Sequence, residues 1–504
     1  MRQAKLRALL LGVAMVSGVL GMGAARAADE GTVSNGTVTS ADGTLVHYSL
    51  FKPNGAGPAN QVPMIFHSHG WGETRSRAVA DFNDWLADGF GVLSFDQRGH
   101  GESTSEATVE DPAREGADVR ALIDFVASLD WVQIDAPGDP VLGAIGGSYG
   151  GGYQTIGALT DLKALGHTRF NAIAPEITWF DLPDSLGPQL VPRTLWTTLL
   201  YAVAPKHASY IDQGEAIGLA TATFPDGSLP AGPNLKQIFY EHSPKWFSDH
   251  HYYLDIPVLF GQGITDNLFN LNQGIHNYQE VLTANARSES ILVGYNSGHV
   301  LPEALPLSTN PSGNPCVTDW GKFERAFFHA AFAGLNPRTA LDGLQGPVKA
   351  FNIATSDNGC LRTDNITTYQ SYPVAPAGTI VSTTVAGGPV AYQLASGPLK
   401  IAGIPHLKGS LTTLVADARA FFAISVGATP ATAQVVQNNV LPIRRLLPTV
   451  GEALDLELPG IGIEVPAGMN VYLTVSPAAS AFIGTSRLPG IVVIQNATVE
   501  LPIQ

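Results

Sequence analysis

One pentapeptide constrains this chain more than any other feature: Gly146-Gly147-Ser148-Tyr149-Gly150, which ends the apolar run Val141–Gly146. A serine flanked by glycines two residues to either side suits a sharp turn from a strand into a helix. The turn lifts the hydroxyl above the sheet and brings two backbones so close that side chains at the flanking positions would collide. Gly151 and Gly152 extend the small surface. Such a turn needs a buried strand before it and a helix after it, so it selects folds that alternate the two.

The surrounding sequence supplies that alternation. Near-continuous apolar runs occur at Val62–His67, Gly91–Phe95, Val141–Gly146, Ala172–Ile177, Pro257–Gly261 and Ile291–Gly294. Runs of this kind suit strands of a parallel sheet covered on both faces. Between them, Asp118–Leu129 carries Val119, Leu122, Ile123 and Val126 at i, i+3, i+4 and i+7, one face of a helix. The expected fold is α/β, a doubly wound α/β-hydrolase sheet. Residues 179–251, rich in aromatics and proline with a helical stretch near Leu195–Val203, interrupt the rhythm and read as a helical cap inserted over the sheet. With 504 residues the chain is too long for one ordinary core. After Leu335 charged residues thin out and short Val-, Thr- and Gly-rich runs take over, at Thr379–Val385, Phe421–Val426, Val471–Val475 and Ile491–Ile494. The expected division is a leader over 1–27, a catalytic α/β domain over 28–340, and an all-β sandwich or jelly roll over 341–504.

A serine hydroxyl is a weak nucleophile until a base takes its proton. His299, in Asn296-Ser297-Gly298-His299 just after the last strand of the alternating region, is the candidate base. Asp266, after the strand Pro257–Gly261, is the candidate acid that would fix the imidazole tautomer. The chain order Ser148, Asp266, His299 is the one this fold uses. Asp255 precedes its strand, at the wrong end of the sheet, and Asp181 and Asp184 are weaker alternatives. Two donors are needed for the oxyanion: the main-chain N–H of Tyr149, and Trp71 in His69-Gly70-Trp71-Gly72, which offers its main-chain N–H and its indole N–H. Trp179, Phe180 and Phe269 either line an apolar acyl pocket or pack the cap. His67 and His69 read as shaping the oxyanion loop, His100 as bonding within a tight turn, and His250 and His251 as cap residues. No spacing resembles a metal site, and neither a metal nor another cofactor is expected.

Arg2, Lys5 and Arg7, then an apolar run from Leu9 to about Met22, then Ala25-Arg26-Ala27 form the pattern of a cleaved signal peptide, so export is expected. Losing four positive charges with it takes the formal charge from −15 to −19. So acidic a chain has no electrostatic reason to bind nucleic acid or anionic membranes, and no later segment is long and apolar enough to span a bilayer. Cys316 and Cys360, the only cysteines, are expected to form a disulfide in an oxidising compartment, and their place near the domain boundary suggests a bond tying the two domains.

With these residues in place, the chain resembles the cocaine esterase and X-Pro dipeptidyl-peptidase group of serine hydrolases. The segments that carry the resemblance are Gly146–Gly151, Trp179-Phe180-Asp181-Leu182, Ser243-Pro244, Ile256–Phe269, Ser297-Gly298-His299, and Gly397–Pro405 at the start of the jelly roll. The resemblance implies the triad Ser148, Asp266 and His299, a helical cap, and a substrate that is a small ester or a peptide. The group commonly completes its oxyanion hole with a tyrosine hydroxyl, where this chain has Trp71, which points instead to a backbone donor. Three functions remain open: a carboxylic ester hydrolase, favoured; an X-Pro dipeptidyl peptidase or amidase, whose amine anchor would be Glu176, Asp181 or Asp184; and a non-catalytic binding protein on the same fold. Nothing in the C-terminal half reads as a sugar platform, and that half is expected to buttress the cap and active site.

Overall fold

The computed structural model describes residues 29–229, 232–304, 306–374, 380–383, 388–482 and 491–504. The leader expected over 1–27 lies outside the described residues. The core of the molecule is a ten-stranded sheet. Its strands, in chain order, are β1 (Gly31–Thr39), β2 (Leu45–Pro53), β3 (Met64–Ser68), β4 (Gly91–Phe95), β5 (Leu142–Gly147), β6 (Ala172–Glu176), β7 (Leu259–Gly263), β8 (Ile291–Tyr295), β9 (Phe351–Ala354) and β10 (Cys360–Thr363). They lie in the order β1-β2-β4-β3-β5-β6-β7-β8-β9-β10. From β4 through β9 neighbouring strands run parallel, while β1, β2 and β10 pair antiparallel at the two edges.

Alternation along each strand feeds two hydrophobic layers. Met64 and Phe66 enter one with Val119, Leu122 and Ile123 of the helix Glu115–Ala127 and Tyr153 and Ile156 of the helix Tyr149–Leu165. Ile65, between them in sequence, enters the other with Trp85 and with Phe323, Phe327 and Phe328 of the helix Trp320–Phe332. A sheet covered on both faces accounts for strands that read as unbroken apolar runs.

The insertion between β6 and β7 is a cap of short helices: Leu182–Leu186, Thr194–Ala202, Ser209–Thr221, Leu235–Glu241 and Pro244–Asp249. The C-terminal region is a sandwich of two five-stranded sheets. Leu407, Leu411, Leu454 and Ile494 from one sheet interdigitate with Phe422, Ile424, Leu473 and Val475 from the other. The run expected over Thr379–Val385 forms the strand Ile380–Thr383, its ends lying outside the described residues.

Two expectations need correction. Strands β9 and β10 lie beyond residue 340 yet belong to the central sheet, because Phe351 and Ile353 are buried beside β8. A Val- and Thr-rich run looks the same whether it closes one sheet or opens another. Cys316 and Cys360 do form a disulfide, with Cα atoms 5.3 Å apart. It pins the edge strand β10 to the segment before the helix Trp320–Phe332, within the catalytic unit, and does not tie that unit to the sandwich.

The sandwich instead holds the helix Leu271–His276, which follows the acid loop. Asn272 donates to the Leu458 carbonyl (3.0 Å) and accepts from the Gly460 N–H (2.6 Å). His276 bonds Glu280 (2.6 Å) and, across the interface, Glu457 of the sandwich (2.7 Å). Burial works against a charged ring here, but the bonds to the two glutamates outweigh it and push the His276 pKa up to about 10. Because the folded value lies above the ordinary 6.5, this contribution is full below pH 6.5 and is lost as pH rises through about 10. Both glutamates are partly exposed, which screens the interaction. The stability difference between the wild-type chain and His276→Gln is therefore expected to shrink by on the order of 2 kcal/mol across that window. Urea unfolding of both proteins at the two ends of the window checks this, and a difference independent of pH contradicts it.

Candidate active site

The site sits at the C-terminal ends of the parallel strands, where three loops converge. Ser148 occupies the turn between β5 and the helix Tyr149–Leu165 at φ 58°, ψ −120°, a left-handed conformation that costs a non-glycine residue energy. Its N–H is tied to the Glu176 carbonyl (2.9 Å), and its own carbonyl accepts from Gly151 and Gly152. The flanking glycines are required by contact. A Cβ on Gly146 would stand 2.7 Å from the Gly150 oxygen and 2.8 Å from the Ser68 oxygen, and a Cβ on Gly150 would collide with that same Ser68 carbonyl.

His299 follows β8 and Asp266 follows β7. The His299 Nε2 lies 2.8 Å from the Ser148 Oγ, and its Nδ1 lies 2.7 Å from the Asp266 Oδ2. Asp266 is fully buried and accepts three further N–H groups: His299 N on Oδ2 (2.8 Å), and Leu268 N (2.9 Å) and Phe269 N (2.7 Å) on Oδ1. An acceptor-only carboxylate held by four donors is fixed in orientation, and it leaves the imidazole one tautomer, with the proton on Nδ1 and a bare Nε2 toward the serine. The three residues read from sequence as a triad thus form one hydrogen-bonded line, Ser148 to His299 to Asp266. Asp255, Asp181 and Asp184 take no part: Asp255 accepts from Thr283 and Asn285, Asp181 caps the helix Leu182–Leu186, and Asp184 sits on that helix's exposed side.

The glycine-containing loop after β3 carries Trp71. Its indole N–H donates to the Leu200 carbonyl of the cap (3.1 Å), so the ring braces the cap over the site and its side-chain donor is already engaged. The ring stands edge-on to Tyr149 at 5.0 Å. His69 bonds the Gly70 carbonyl through Nδ1 and receives the Gln97 N–H on Nε2, which shapes this loop. Burial holds His67 down at about 4 and His100 at about 3, so both are neutral framework residues at physiological pH. His250 and His251 lie exposed at the end of the cap.

A cleft of about 920 Å³, counted to its open mouth, leads from Ser148 under the cap. Its lining is dominated by apolar groups, including Trp71, Trp179, Leu186, Phe224, Phe239 and Phe269. Of the three aromatics singled out in the sequence, Trp179 and Phe269 border this cleft. Phe180 does not border it: it stacks on His276 at 5.4 Å, packed in the core beneath the cap. Its neighbour Trp179 lines the cleft, and one step along the chain reverses the direction of the side chain. None of Glu176, Asp181 and Asp184 lines the cleft. Glu176, pushed up to about 7 by burial, is bonded by the Tyr295 hydroxyl (2.9 Å) behind the site. Among the described lining residues the one acid is Glu215, which accepts the Thr198 hydroxyl (2.8 Å) in an exposed pair on the cap. No cluster of three or more His, Cys, Asp or Glu among the described residues is arranged to hold a metal ion.

Two residues around the triad escaped the sequence reading. Trp196 of the cap meets the His299 ring edge-on at 5.8 Å and donates its indole N–H to the Asn267 Oδ1 (2.8 Å). Asn267, next to the acid, also accepts from Leu301 N (3.2 Å). A tryptophan in a helix full of apolar residues carries no signal of this role. Asn267 adjoins Asp266, and that adjacency is the one usable hint.

Comparison with known proteins agrees with this geometry. The family model of the X-Pro dipeptidyl-peptidase (S15 family) matches residues 42–300, which contain all three loops. A non-heme chloroperoxidase of Streptomyces lividans is 27% identical over 293 residues, 55% of this chain and 95% of its own. An α-amino acid ester hydrolase superposes with a TM-score of 0.65 at 14% identity, over 97% of this chain and 100% of its own. A CocE/NonD family hydrolase from Staphylococcus aureus superposes with a TM-score of 0.61 at 13% identity, over 93% of each chain. At such identities the two structures speak for a shared fold, sandwich included. A strained serine, a bonded histidine and a buried aspartate on that fold, within the matched segment, place this chain in the S15 family of α/β-hydrolase serine enzymes.

Proposed function

We propose that the protein is an exported carboxylic ester hydrolase that takes esters with an apolar acyl group and works through an acyl-enzyme on Ser148. The observation that carries this reading is the character of the cleft above the serine: apolar through most of its lining, with the one acid among its described lining residues in an exposed pair on the cap. In this mechanism the Ser148 Oγ attacks the ester carbonyl as its proton passes to the His299 Nε2. Asp266 stabilises the imidazolium through Nδ1–H. Main-chain N–H groups of Tyr149 and Trp71 receive the oxyanion, since the Trp71 indole is engaged by the cap. The leaving alkoxide takes the proton back from His299. Water then repeats the sequence to release the acid and restore Ser148.

The family contains X-Pro dipeptidyl peptidases, so amide cleavage is the competing activity. It calls for an acidic anchor for the substrate ammonium, and Glu176, Asp181 and Asp184 stand away from the cleft. Among the described lining residues Glu215 is the acid that would serve, and Ser148-dependent hydrolysis of a dipeptidyl anilide that is lost in Glu215→Gln would favour that second reading. Export rests on the leader pattern and suits the Cys316–Cys360 bond. Intact mass of the protein recovered outside the cytoplasm tests it: a chain beginning at Ala28 supports cleavage, and one retaining Met1 contradicts it.

The acyl reading is testable within the cap. Ile211, Gly214, Glu215 and Gly218 lie on one face of the helix Ser209–Thr221 and border the cleft. A Cβ added at Gly218 meets no atom within 4 Å, so a larger side chain there has free space on the cleft side. Replacing a helical glycine favours the helix, so Gly218→Leu is expected to fold. It is expected to lower kcat/KM for long-chain p-nitrophenyl esters by about 10–100-fold relative to short ones. An unchanged chain-length profile in the folded variant would remove this face from the acyl site.

A further inference from the structure

Between the sandwich strands Gln434–Val435 and Leu441–Arg445, the chain drives three consecutive amides, Gln437, Asn438 and Asn439, into the catalytic unit. They are 0%, 1% and 2% exposed. Gln437 (φ 53°) and Asn438 (φ 65°) are left-handed, a conformation asparagine tolerates better than most residues. The segment ends at the two loops that carry Asp266 and His299. The Asn439 Nδ2 donates to the Ile264 carbonyl (2.8 Å), two residues before the acid. The Gln437 Nε2 donates to the Asn296 Oδ1 (3.0 Å), three residues before the histidine. Asn438 serves both loops. Its Nδ2 donates to the Leu301 carbonyl (3.0 Å) and lies 3.5 Å from the Thr265 carbonyl, while its Oδ1 accepts from Glu303 N (2.7 Å) and from the Ser308 Oγ (3.0 Å).

We propose that Asn438 is a positioning residue: one amide from the sandwich holds the acid loop and the histidine loop in register, so that the bonds between Asp266, His299 and Ser148 form at their required lengths. Asn438 is absent from the cleft lining, so it acts through the loops and not on the substrate. The loops also bond each other directly, through Asn267 N to the His299 carbonyl (3.0 Å) and Leu301 N to the Asn267 Oδ1 (3.2 Å). Those bonds fix the loops to each other. The Asn438 amide adds an outside reference, anchored in a separate hydrophobic core. Buried and bonded through both its Nδ2 and its Oδ1, the amide is costly to remove.

The inference rests on the assignment of Ser148, Asp266 and His299 as the reacting set. Its test is the full-length Asn438→Gly variant, which deletes the side chain while keeping a positive φ accessible. With a p-nitrophenyl ester the expected result is a kcat about 10–100-fold lower at a KM within about twofold of wild type, because misplaced reacting groups slow the chemical step without altering the acyl cleft. Rates are referred to the folded fraction measured by circular dichroism at the assay temperature. Asn438→Asp, which keeps the acceptor toward Glu303 N and Ser308 but loses the donor to Leu301, is the second variant and is expected to lose kcat in the same way if the glycine variant fails to fold. The rate of Ser148 phosphonylation by a fluorophosphonate is measured alongside and should fall with kcat. That readout needs no ester substrate, so it separates failure of this inference from failure of the ester-hydrolase reading. A folded variant with wild-type kcat and wild-type phosphonylation rate overturns the proposal, as does a loss that appears in KM alone.

Discussion

Replacing Ser148 with alanine is expected to lower kcat for the preferred ester by about 10⁴–10⁶-fold, with the thermal midpoint within a few degrees of wild type. The change removes one oxygen and keeps the Cβ, so the turn at φ 58° and its bond to the Glu176 carbonyl are retained. The lost atom is the proposed nucleophile, and it is the hydroxyl bonded to the His299 Nε2. That nitrogen can bond water in the variant. Ester turnover by purified wild type and variant, with circular dichroism melts of both, provides the comparison. Residual activity near the wild-type level in a folded variant would remove Ser148 from the mechanism.

Asp266→Asn is expected to cost about 10⁴-fold in kcat, and it should destabilise the chain as well, unlike the serine variant. The aspartate meets four N–H donors: the Oδ1 faces Leu268 N and Phe269 N, and the Oδ2 faces His299 N and Nδ1. An asparagine has one acceptor oxygen. With its NH₂ toward Leu268 and Phe269, two buried backbone donors lose their acceptor and confront another donor. With its NH₂ toward His299, the imidazole turns to the other tautomer and presents Nε2–H to the serine, which abolishes its use as a base. A buried donor left without a partner costs about 1–3 kcal/mol, so a lowered urea midpoint should accompany the kinetic loss. An isosteric variant with the wild-type midpoint and more than about a tenth of wild-type kcat contradicts the role given to this carboxylate.

What could be read from the sequence followed the physics of each element. The strands ending in Ser148, Asp266 and His299 are buried on both faces, so their apolar runs stood out, and their limits in the structure differ from the expected ones by a residue or two. The elbow was legible because sterics demand glycine at Gly146 and Gly150. Chain order then led to Asp266 and His299, whose contacts span 33 and 151 residues and leave no local trace. Whether Phe180 lines the cleft or packs is not legible in the sequence, because pocket and core aromatics have the same composition. The boundary at 340 failed for a similar reason: Phe351–Ala354 and Cys360–Thr363 look like sandwich strands until their pairing with β8 is known. Gln437-Asn438-Asn439 stood between Val435-Val436 and Val440-Leu441, a polar triplet bracketed by apolar pairs in a region otherwise poor in charge. That contrast was the available signal. What it could not convey is that the triplet is buried against a loop more than a hundred residues away.

The most direct test of the ester-hydrolase reading compares two substrate classes on one preparation: p-nitrophenyl esters of increasing acyl length, and Ala-Pro-p-nitroanilide, each run with wild type and Ser148→Ala. The expected result is Ser148-dependent ester hydrolysis whose kcat/KM rises with acyl length as the cleft fills, and no anilide turnover above the Ser148→Ala background. Ser148-dependent turnover of the anilide, with esters hydrolysed regardless of chain length, would contradict it.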